Sequence, residues 1–509
     1  MQIPEIPTLP ADIMETLEPV VQNHIRAQAG IIALLQEIVQ QHTQLQTQYG
    51  QLQTEHSQVQ QRLTDLEQRL AQNSENSSKP PSSNPLWTRP PKTPKSSSGK
   101  KRGGQAGHTR HSRQLLPTSE VDLVREWWPA LCQECKAPLR ASDQIGTPKR
   151  HQVYEIERVH AKVTEHQFFA CECRFCSTLT KASHPTEVPT GNFGSELVAT
   201  LADLHGRYRL SMRETAALAR DLWQLELSVG AVADACQKAS LALASSYTEA
   251  HTHLKAHSSE VNVDETGWRD SGKRGWLWVA VSKVATVFKL GSKRNRASFQ
   301  ELIPKDYLGV VGSDRYSAYY ALDPARHQLC LAHILRNLKG LEVRAEPTAK
   351  WATTTRELVT SLFHSWHTFK INPTPDAAQK RATLLAEVEP IRIAITEQLE
   401  LGLTLQPEDK KLTRFCRQLK KHEARLWVFV NVQGIEPTNN AAERALRPAV
   451  IWRKTSFGTQ GENGQRFVER MLTIRATCRL SGHNFLEFLS ASLKAHWSSQ
   501  PMPSLFATP

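Results

Sequence analysis

From Ile31 onward apolar residues recur with a seven-residue period. Ile31, Ile38, Leu45, Leu52, Val59 and Leu66 occupy one seam position, and Leu35, His42, Tyr49, His56, Leu63 and Leu70 the other. A two-position stripe sustained over that length predicts a helix over residues 25–72 that self-associates as a coiled coil, most simply a homodimer. A helix packed on the chain's own core is the alternative, but the Gln-rich flanks give it no second apolar face to bury. His42 and His56 sit in the seam, where polar side chains set register or oligomeric state.

The periodicity stops after Leu70. Residues 73–118 are rich in Ser, Pro, Lys and Gly and carry too little apolar surface to order themselves, so they read as a linker between the helix and the cysteine-bearing region. Beyond it, HQVYEIERVHAKVTEHQFF over residues 151–169 is strand-like, and residues 191–256 carry helical stripes. Within them Leu210 to Ser240 reads helix, turn, helix, with Ser228 capping the second helix; a DNA-reading pair and a merely packed pair fit equally. From Glu260 the period falls to two. The order is a strand (EVNVDETGW), a strand (Arg274 to Ser282), a strand (Ala285 to Gly291), a helix (Arg294 to Ile303) and a strand (YLGVVGSD, Tyr307 to Asp314). A right-handed crossover returns the fourth strand beside the first and parallel to it. Residues 342–430 then become helical, with breakers at Pro373, Pro375, Pro390 and Pro407, and read as an insertion in that domain. After it comes the helical stretch NNAAERALRP, Asn439 to Pro448, in which Asn439 or Asn440 can cap.

Charge sharpens this picture. The 509 residues carry a formal net charge of +13, which favours a polyanionic partner. Between Asn76 and Ser119 there are nine Lys or Arg and no Asp or Glu, with Lys100, Lys101 and Arg102 adjacent, so the linker is suited to neutralising DNA phosphates. No run of about 18 apolar residues exists, and the first residues, MQIPEIPTLPADIMETLEP, are acidic and proline-broken rather than signal-like. The expectation is a cytoplasmic protein that meets the nucleoid through DNA and makes no membrane contact.

Five of the nine cysteines fall between Cys132 and Cys176. Cys132-x-x-Cys135 and Cys173-x-x-Cys176 each let two thiolates converge, and together they predict one tetrahedral, structural Zn2+ in a zinc ribbon spanning residues 119–190. Cys171 is a fifth thiol for four places and stands as an alternative to Cys173. His327, Cys330, His333 and Arg336 in HQLCLAHILRNL form a weaker set, one cysteine and two histidines without a fourth ligand nearby.

Three acids remain. Asp264 lies on a half-buried strand, Asp314 ends the fourth strand, and Glu443 stands on a later helix; alternation turns Glu265 to the face opposite Asp264. Carboxylates gathered this way suit hard divalent cations, and two Mg2+ ions can serve an in-line phosphoryl displacement. Arg444, Arg447, Arg453 and Lys454 follow Glu443 and offer phosphate contacts, or merely a solvated basic face.

Two strand aspartates and a helical glutamate, with cysteine pairs and a coiled coil upstream, resemble the DDE transposases of the insertion sequence 66 family. Segments SSKPPSSNP and GGQAGH in the linker are similar to that family's, although Asn84 stands where it commonly has aspartate. Cys330-Leu-Ala-His333-Ile-Leu-Arg336 has its counterpart there, which implies that His333 and Arg336 flank the active site. The longest match is TNNAAERALRPAVIWRKTSFGTQGENG, Thr438 to Gly464, and it identifies Glu443 by its place before Arg-x-Leu-Arg-Pro.

The resemblance implies a multidomain α+β chain. Residues 1–24 are a tail, 25–72 the coiled coil, 73–118 the basic linker, 119–190 the zinc ribbon and 191–256 a helical DNA-binding region. A ribonuclease H-like catalytic domain with a helical insertion spans 257–495, and 496–509 are a tail. It also implies an enzyme that binds element ends and performs two-metal phosphodiester hydrolysis and transesterification with Asp264, Asp314 and Glu443. Its partners are the terminal inverted repeats, target DNA, a second copy of the chain and, in some elements, accessory element-encoded proteins. A ribonuclease H-like nuclease without strand transfer, and a non-catalytic DNA-binding regulator derived from a transposase, are the competing readings.

Overall fold

The computed structural model describes residues 9–70, 76, 113–157, 159–372 and 376–507, a mixed α+β structure that is mostly helical. It divides into two units, one formed by residues 1–88 and 331–423 and the other by residues 89–330 and 424–509. The linker residues Lys100, Lys101 and Arg102 lie outside the described residues.

In the first unit, α1 (Ala11–Glu15) precedes α2 (Pro19–Leu70), a single helix of 52 residues. The seam residues Ile31, Leu35, Ile38, Leu45, Leu52, Val59 and Leu63 are all exposed along it.

The second unit opens with a hairpin of β1 (Ala170–Glu172) and β2 (Leu179–Lys181), and continues as α3 (Ser195–Gly206), α4 (Met212–Trp223), α5 (Val229–Ala242) and α6 (Ala244–His257). The alternating residues 151–169 form no ladder among the described residues, and Val153, Ile156 and Val163 are exposed. An alternating segment becomes a strand only where a partner completes its hydrogen bonds. Ser228 caps α5 as expected, its side chain accepting from the Ala231 N–H at 3.1 Å. That helix packs against α3 and α4 and buries Val232, Ala235, Cys236 and Ala239.

Strands β3 (Glu260–Asp270), β4 (Lys273–Val281) and β5 (Thr286–Gly291) are linked by hairpins; α7 (Arg296–Leu302) crosses to β6 (Val310–Ser313), and β7 (His327–Leu329) comes next. Their order is β5-β4-β3-β6-β7. Strand β6 pairs parallel to β3, as the crossover predicts, with Asn262 opposite Gly312. The fifth strand, only three residues long, carries no alternation to announce it.

The chain then returns to the first unit, where α8 (Leu331–Glu342), α9 (Thr348–Ile371), α10 (Ala377–Thr404) and α11 (Lys410–Lys421) account for the helical stretch expected at residues 342–430. Pro390 does not break it. It lies inside α10, where Leu384, Val388, Ile395 and Leu399 are buried and the helix packs on both α9 and α11. Two-sided burial outweighs the roughly 3 kcal/mol that an interior proline costs.

The second unit closes with α12 (Val428–Asn431), α13 (Asn440–Ser456), α14 (Glu462–Ser481) and α15 (Phe485–Trp497). Helix α13 likewise runs through Pro448, eight residues past the expected end. Helix α14 covers the edge of the sheet in an unusual way. Glu469, Thr473 and Thr477 accept from the N–H groups of Leu290, Phe288 and Thr286 at 2.7, 2.9 and 3.2 Å. Four helical residues rise about 6 Å and two strand residues about 6.7 Å, so side chains four apart meet amides two apart. The edge strand is thereby closed to a further strand.

Candidate active site

Asp264 and Asp314 are brought together by strand register. Asn262 faces Gly312 across the parallel β3–β6 pair, and two residues on, Asp264 and Asp314 stand level at the mouth of the sheet. Neighbouring strands are about 4.8 Å apart. Just below the acids a Cβ at Gly312 would lie 2.7 Å from Asn262 Oδ1, so a larger residue there would push the Asn262 side chain aside.

Each carboxylate is held by a backbone amide just beyond it in the chain. The Glu265 N–H donates to Asp264 Oδ1 at 2.9 Å, and the Tyr316 N–H to Asp314 Oδ1 at 2.9 Å. Burial, then repulsion from Glu265 and Asp314, pushes the Asp264 carboxyl well above the usual carboxylate range, and Glu443 in the first turn of α13 adds to the repulsion. Glu443 therefore lies near enough to Asp264 for its charge to be felt there, behind the larger effects of burial, Glu265 and Asp314.

Helix α13 is fastened to β3 at both ends. Asn439 sits at its N-cap position without capping it; its side-chain N–H donates instead to the carbonyl of Val263, the residue before Asp264, at 3.3 Å. Farther along, the Arg453 guanidinium donates to the Thr266 hydroxyl at 3.0 Å and to the Gly267 carbonyl. Arg453 is thus a strut between helix and strand, whereas Arg444, Arg447 and Lys454 are exposed. Sequence reasoning grouped all four because charge is visible in a sequence and a tertiary partner is not.

Glu265 lies on the other face, as alternation requires. Its buried carboxylate accepts from Arg294 Nε at 2.6 Å and from the Tyr319 hydroxyl. Arg294 in turn stacks on Tyr316, whose hydroxyl donates to the Arg294 carbonyl. One chain of contacts, Glu265 to Arg294 to Tyr316, therefore ties the two residues whose amides hold Asp264 and Asp314. Sequence reasoning gave Arg294 and Tyr316 no role, since neither carries a motif of its own, and took Asn439 for a helix cap where it is a tie to β3.

His327 is not poised as a metal ligand. On β7 its Nδ1 accepts from Arg425 at 2.7 Å, which leaves Nε2 protonated to donate to Ser313 Oγ at 2.7 Å, and Ser313 donates to the Asp314 carbonyl at 2.9 Å. Cys330 is buried, and His333 and Arg336 lie on α8.

The cysteine pairs form two matching loops. The Cys132 N–H donates to the Ala137 carbonyl and the Lys136 N–H to the Cys132 carbonyl; Cys173, Thr178 and Ser177 repeat the pattern. Lys136 and Ser177 adopt the same left-handed conformation, φ 61° and 56°. Backbone N–H groups of Cys135 and Glu134 hold the Cys132 thiol below its ordinary value, and Thr178 does so for Cys176. Cys171 lies outside the loop, in β1 opposite Thr180, so the equivalent of Cys132 is Cys173.

Among the described residues no three His, Cys, Asp or Glu side chains are gathered tightly enough to share one ion. The donor chemistry nevertheless fits. Asn262, two residues before Asp264 on β3, and Asn439, at the start of α13, carry buried amide oxygens without a hydrogen-bond partner among the described residues, and such oxygens, like the carboxylates, are donors that suit a hard cation. The two loops offer thiols in pairs, as zinc requires. No described helix is long and apolar enough to cross a membrane.

Residues 190–466 match the Transposase IS66 family, and residues 17–114 match a family of unknown function. Two relatives from Sinorhizobium fredii (strain NBRC 101917 / NGR234) are both uncharacterized proteins. With y4qI the chain is 30% identical over 200 residues, covering 37% of this chain and 36% of that one. With y4hP it is 23% identical over 391 residues, covering 70% of this chain and 68% of the relative.

Proposed function

Because the chain belongs to the Transposase IS66 family, whose match takes in more than half of it, we propose that it is the DDE transposase of an insertion sequence, binding element ends, cleaving them and joining them to target DNA. The observation that carries this reading is the strand register that sets Asp264 and Asp314 on adjacent parallel strands, with Glu443 in the first turn of the helix fastened to β3 and adding to the negative charge around Asp264. The mixed sheet with its parallel crossover supports a ribonuclease H-like catalytic domain.

In this reading Asp264, Asp314 and Glu443 hold two Mg2+ ions, which when bound supply Lewis-acid activation of the attacking oxygen and stabilisation of the leaving one. The chain's own residues position the carboxylates: the amides of Glu265 and Tyr316 orient the aspartates, and Asn439 sets the start of the helix bearing Glu443. Water attacks the phosphodiester at the element end, the P–O3′ bond breaks and a 3′-hydroxyl is released. That hydroxyl then attacks a target phosphodiester, forming one P–O bond as another breaks, with no covalent protein intermediate. Arg444, Arg447 and Lys454 neutralise phosphates along α13, and Lys100, Lys101 and Arg102 do so from the linker.

Cys132, Cys135, Cys173 and Cys176 hold one structural Zn2+, and the helix over residues 25–72 pairs two copies of the chain. The working place of such a protein is the cytoplasm, at the DNA.

The test is a cleavage and strand-transfer assay on element-end DNA with Mg2+. Asp264→Asn, Asp314→Asn and Glu443→Gln each keep size and remove charge, so each should abolish both products while leaving DNA binding within about twofold. Full activity in any of the three refutes the triad, and cleavage without joined products by the wild type leaves a nuclease in place of a transposase.

A further inference from the structure

The C-terminal end of α13 carries a residue that neither the fold nor the triad uses. Phe457 is 80% exposed and closes the helix in the left-handed conformation, φ 59°, which favours glycine. An exposed ring and an unfavourable backbone thus coincide at one position. Nothing about the loop is loose. The Phe457 N–H donates to the Arg453 carbonyl at 2.9 Å, and the next residues run along the β3–β4 hairpin: the Thr459 N–H donates to the Arg269 carbonyl, the Ser271 N–H to the Thr459 carbonyl, and Asp270 accepts from the Thr459 hydroxyl at 2.7 Å and the Gly461 N–H at 2.9 Å. Gly458, at φ 113°, fits there because a Cβ would collide with the Arg269 carbonyl oxygen. The aromatic ring is therefore presented on a rigid mount.

Its surroundings are basic. Arg444, Arg447 and Lys454 are exposed on α13, at spacings of three and seven that keep them on one side of the helix. Ile451 is exposed between them, and Arg269, Lys273 and Arg274 are exposed on the hairpin that anchors the loop. Two acids lie close by. Asp270 is taken up by Thr459 and Gly461, and Glu462 is paired with Arg466 at 3.5 Å. From Glu443 to Phe457 the helix rises about 20 Å, the length of about six nucleotide steps.

We propose that the outer ridge of α13 is a DNA track ending at Phe457, and that the Phe457 ring stacks on an unpaired nucleobase about six nucleotides from the cleaved phosphate. The inference rests on the transposase reading and deepens it by assigning the ring a single-stranded ligand. Basic side chains follow the backbone and take no account of strandedness, whereas a ring that stacks on a base face needs that base out of the duplex.

The test uses the full chain in EDTA, so that nothing is cut, with a 20-nucleotide oligo(dT), the same strand bearing one central 2-aminopurine, and a 20-base-pair duplex. Phe457→Ala should weaken oligo(dT) binding about tenfold, change duplex binding less than about twofold and abolish the quenching of 2-aminopurine. Phe457→Trp should bind as the wild type does, and Phe457→Leu, apolar without a ring, should behave as alanine does. The slope of affinity against salt should not move, since no phosphate contact is lost. Equal oligo(dT) affinity and quenching in Phe457→Ala, wild-type behaviour in Phe457→Leu, or a change in the mass of the particle by light scattering would each overturn the stacking role. Wild-type protein that cleaves element ends once Mg2+ replaces EDTA, while Phe457→Ala matches it in oligo(dT) binding and quenching, defeats this inference alone; wild-type protein that binds neither strand nor duplex defeats the transposase reading as well.

Discussion

Burial of Asp264 beside Glu265, Asp314 and Glu443 gathers like charges where water screens them poorly, so the folded chain carries their repulsion whenever no cation is present. Asp264→Asn removes one of these charges at constant size. In chelator it should raise stability by about 1 kcal/mol, roughly 1–2 °C in Tm for a unit of this size, and in Mg2+ it should abolish cleavage; a fall in Tm would mean that Asp264 serves the fold. Arg453 and Arg447 provide the opposite contrast, being alike in sequence and different in place. Arg453→Gln breaks the strut to Thr266 and Gly267 and should cost about 1–3 kcal/mol in denaturant unfolding with little change in the salt dependence of DNA binding. Arg447→Gln should do the reverse, leaving stability unchanged and lowering the salt slope by about one. Asp264, Asp314 and Glu443 could be proposed from position in the chain because each stands in a long motif or a strand pattern. Position could not show what Asn439, Arg294 and Tyr316 do, because their roles are contacts across 22 to 176 residues of chain.

Local spacing is what made the cysteine loops legible, since four residues suffice to build each turn. The longer alternation at residues 151–169 misled, because a strand needs a partner and the segment pairs with none among the described residues. Pro390 misled differently: read as a breaker, it carries the local cost of any interior proline, yet it sits in a helix whose burial exceeds that cost. At this scale the thiols give the sharpest test. Cys236, Cys416 and Cys478 are buried, and burial pushes each thiol up to about 12, so they should resist alkylation in the native protein. Metal-free protein should therefore label rapidly at the five cysteines between Cys132 and Cys176. One equivalent of Zn2+ should protect Cys132, Cys135, Cys173 and Cys176 and leave Cys171 reactive, as read by mass spectrometry of the labelled peptides. Protection of Cys171 with labelling of Cys173 would reverse the ligand choice.

At the scale of the whole molecule, the chain's division into two units shows which part of the organisation a sequence conceals. The helical segment at residues 331–423 falls in the same unit as α2, a grouping that no periodicity announces. What the heptads did announce is the exposed stripe on α2, where Ile31, Leu35, Ile38, Leu45, Leu52, Val59 and Leu63 remain in contact with water on a single helix. Burying a Leu or Ile side chain contributes about 1.5–3 kcal/mol, so seven such residues left exposed on one stripe represent a strong drive toward a second copy, even after the entropy of association is met. In the proposed reading each protomer would supply one triad, and a paired helix would deliver two triads to two element ends at once. Deleting residues 25–72 should therefore give a monomer by light scattering with its unfolding transition for the catalytic unit intact. The same deletion should depress the joining of paired ends more than the cutting of a single end. A particle of unchanged oligomeric order after the deletion would mean that the copies are held together elsewhere, and the exposed seam would then need another partner.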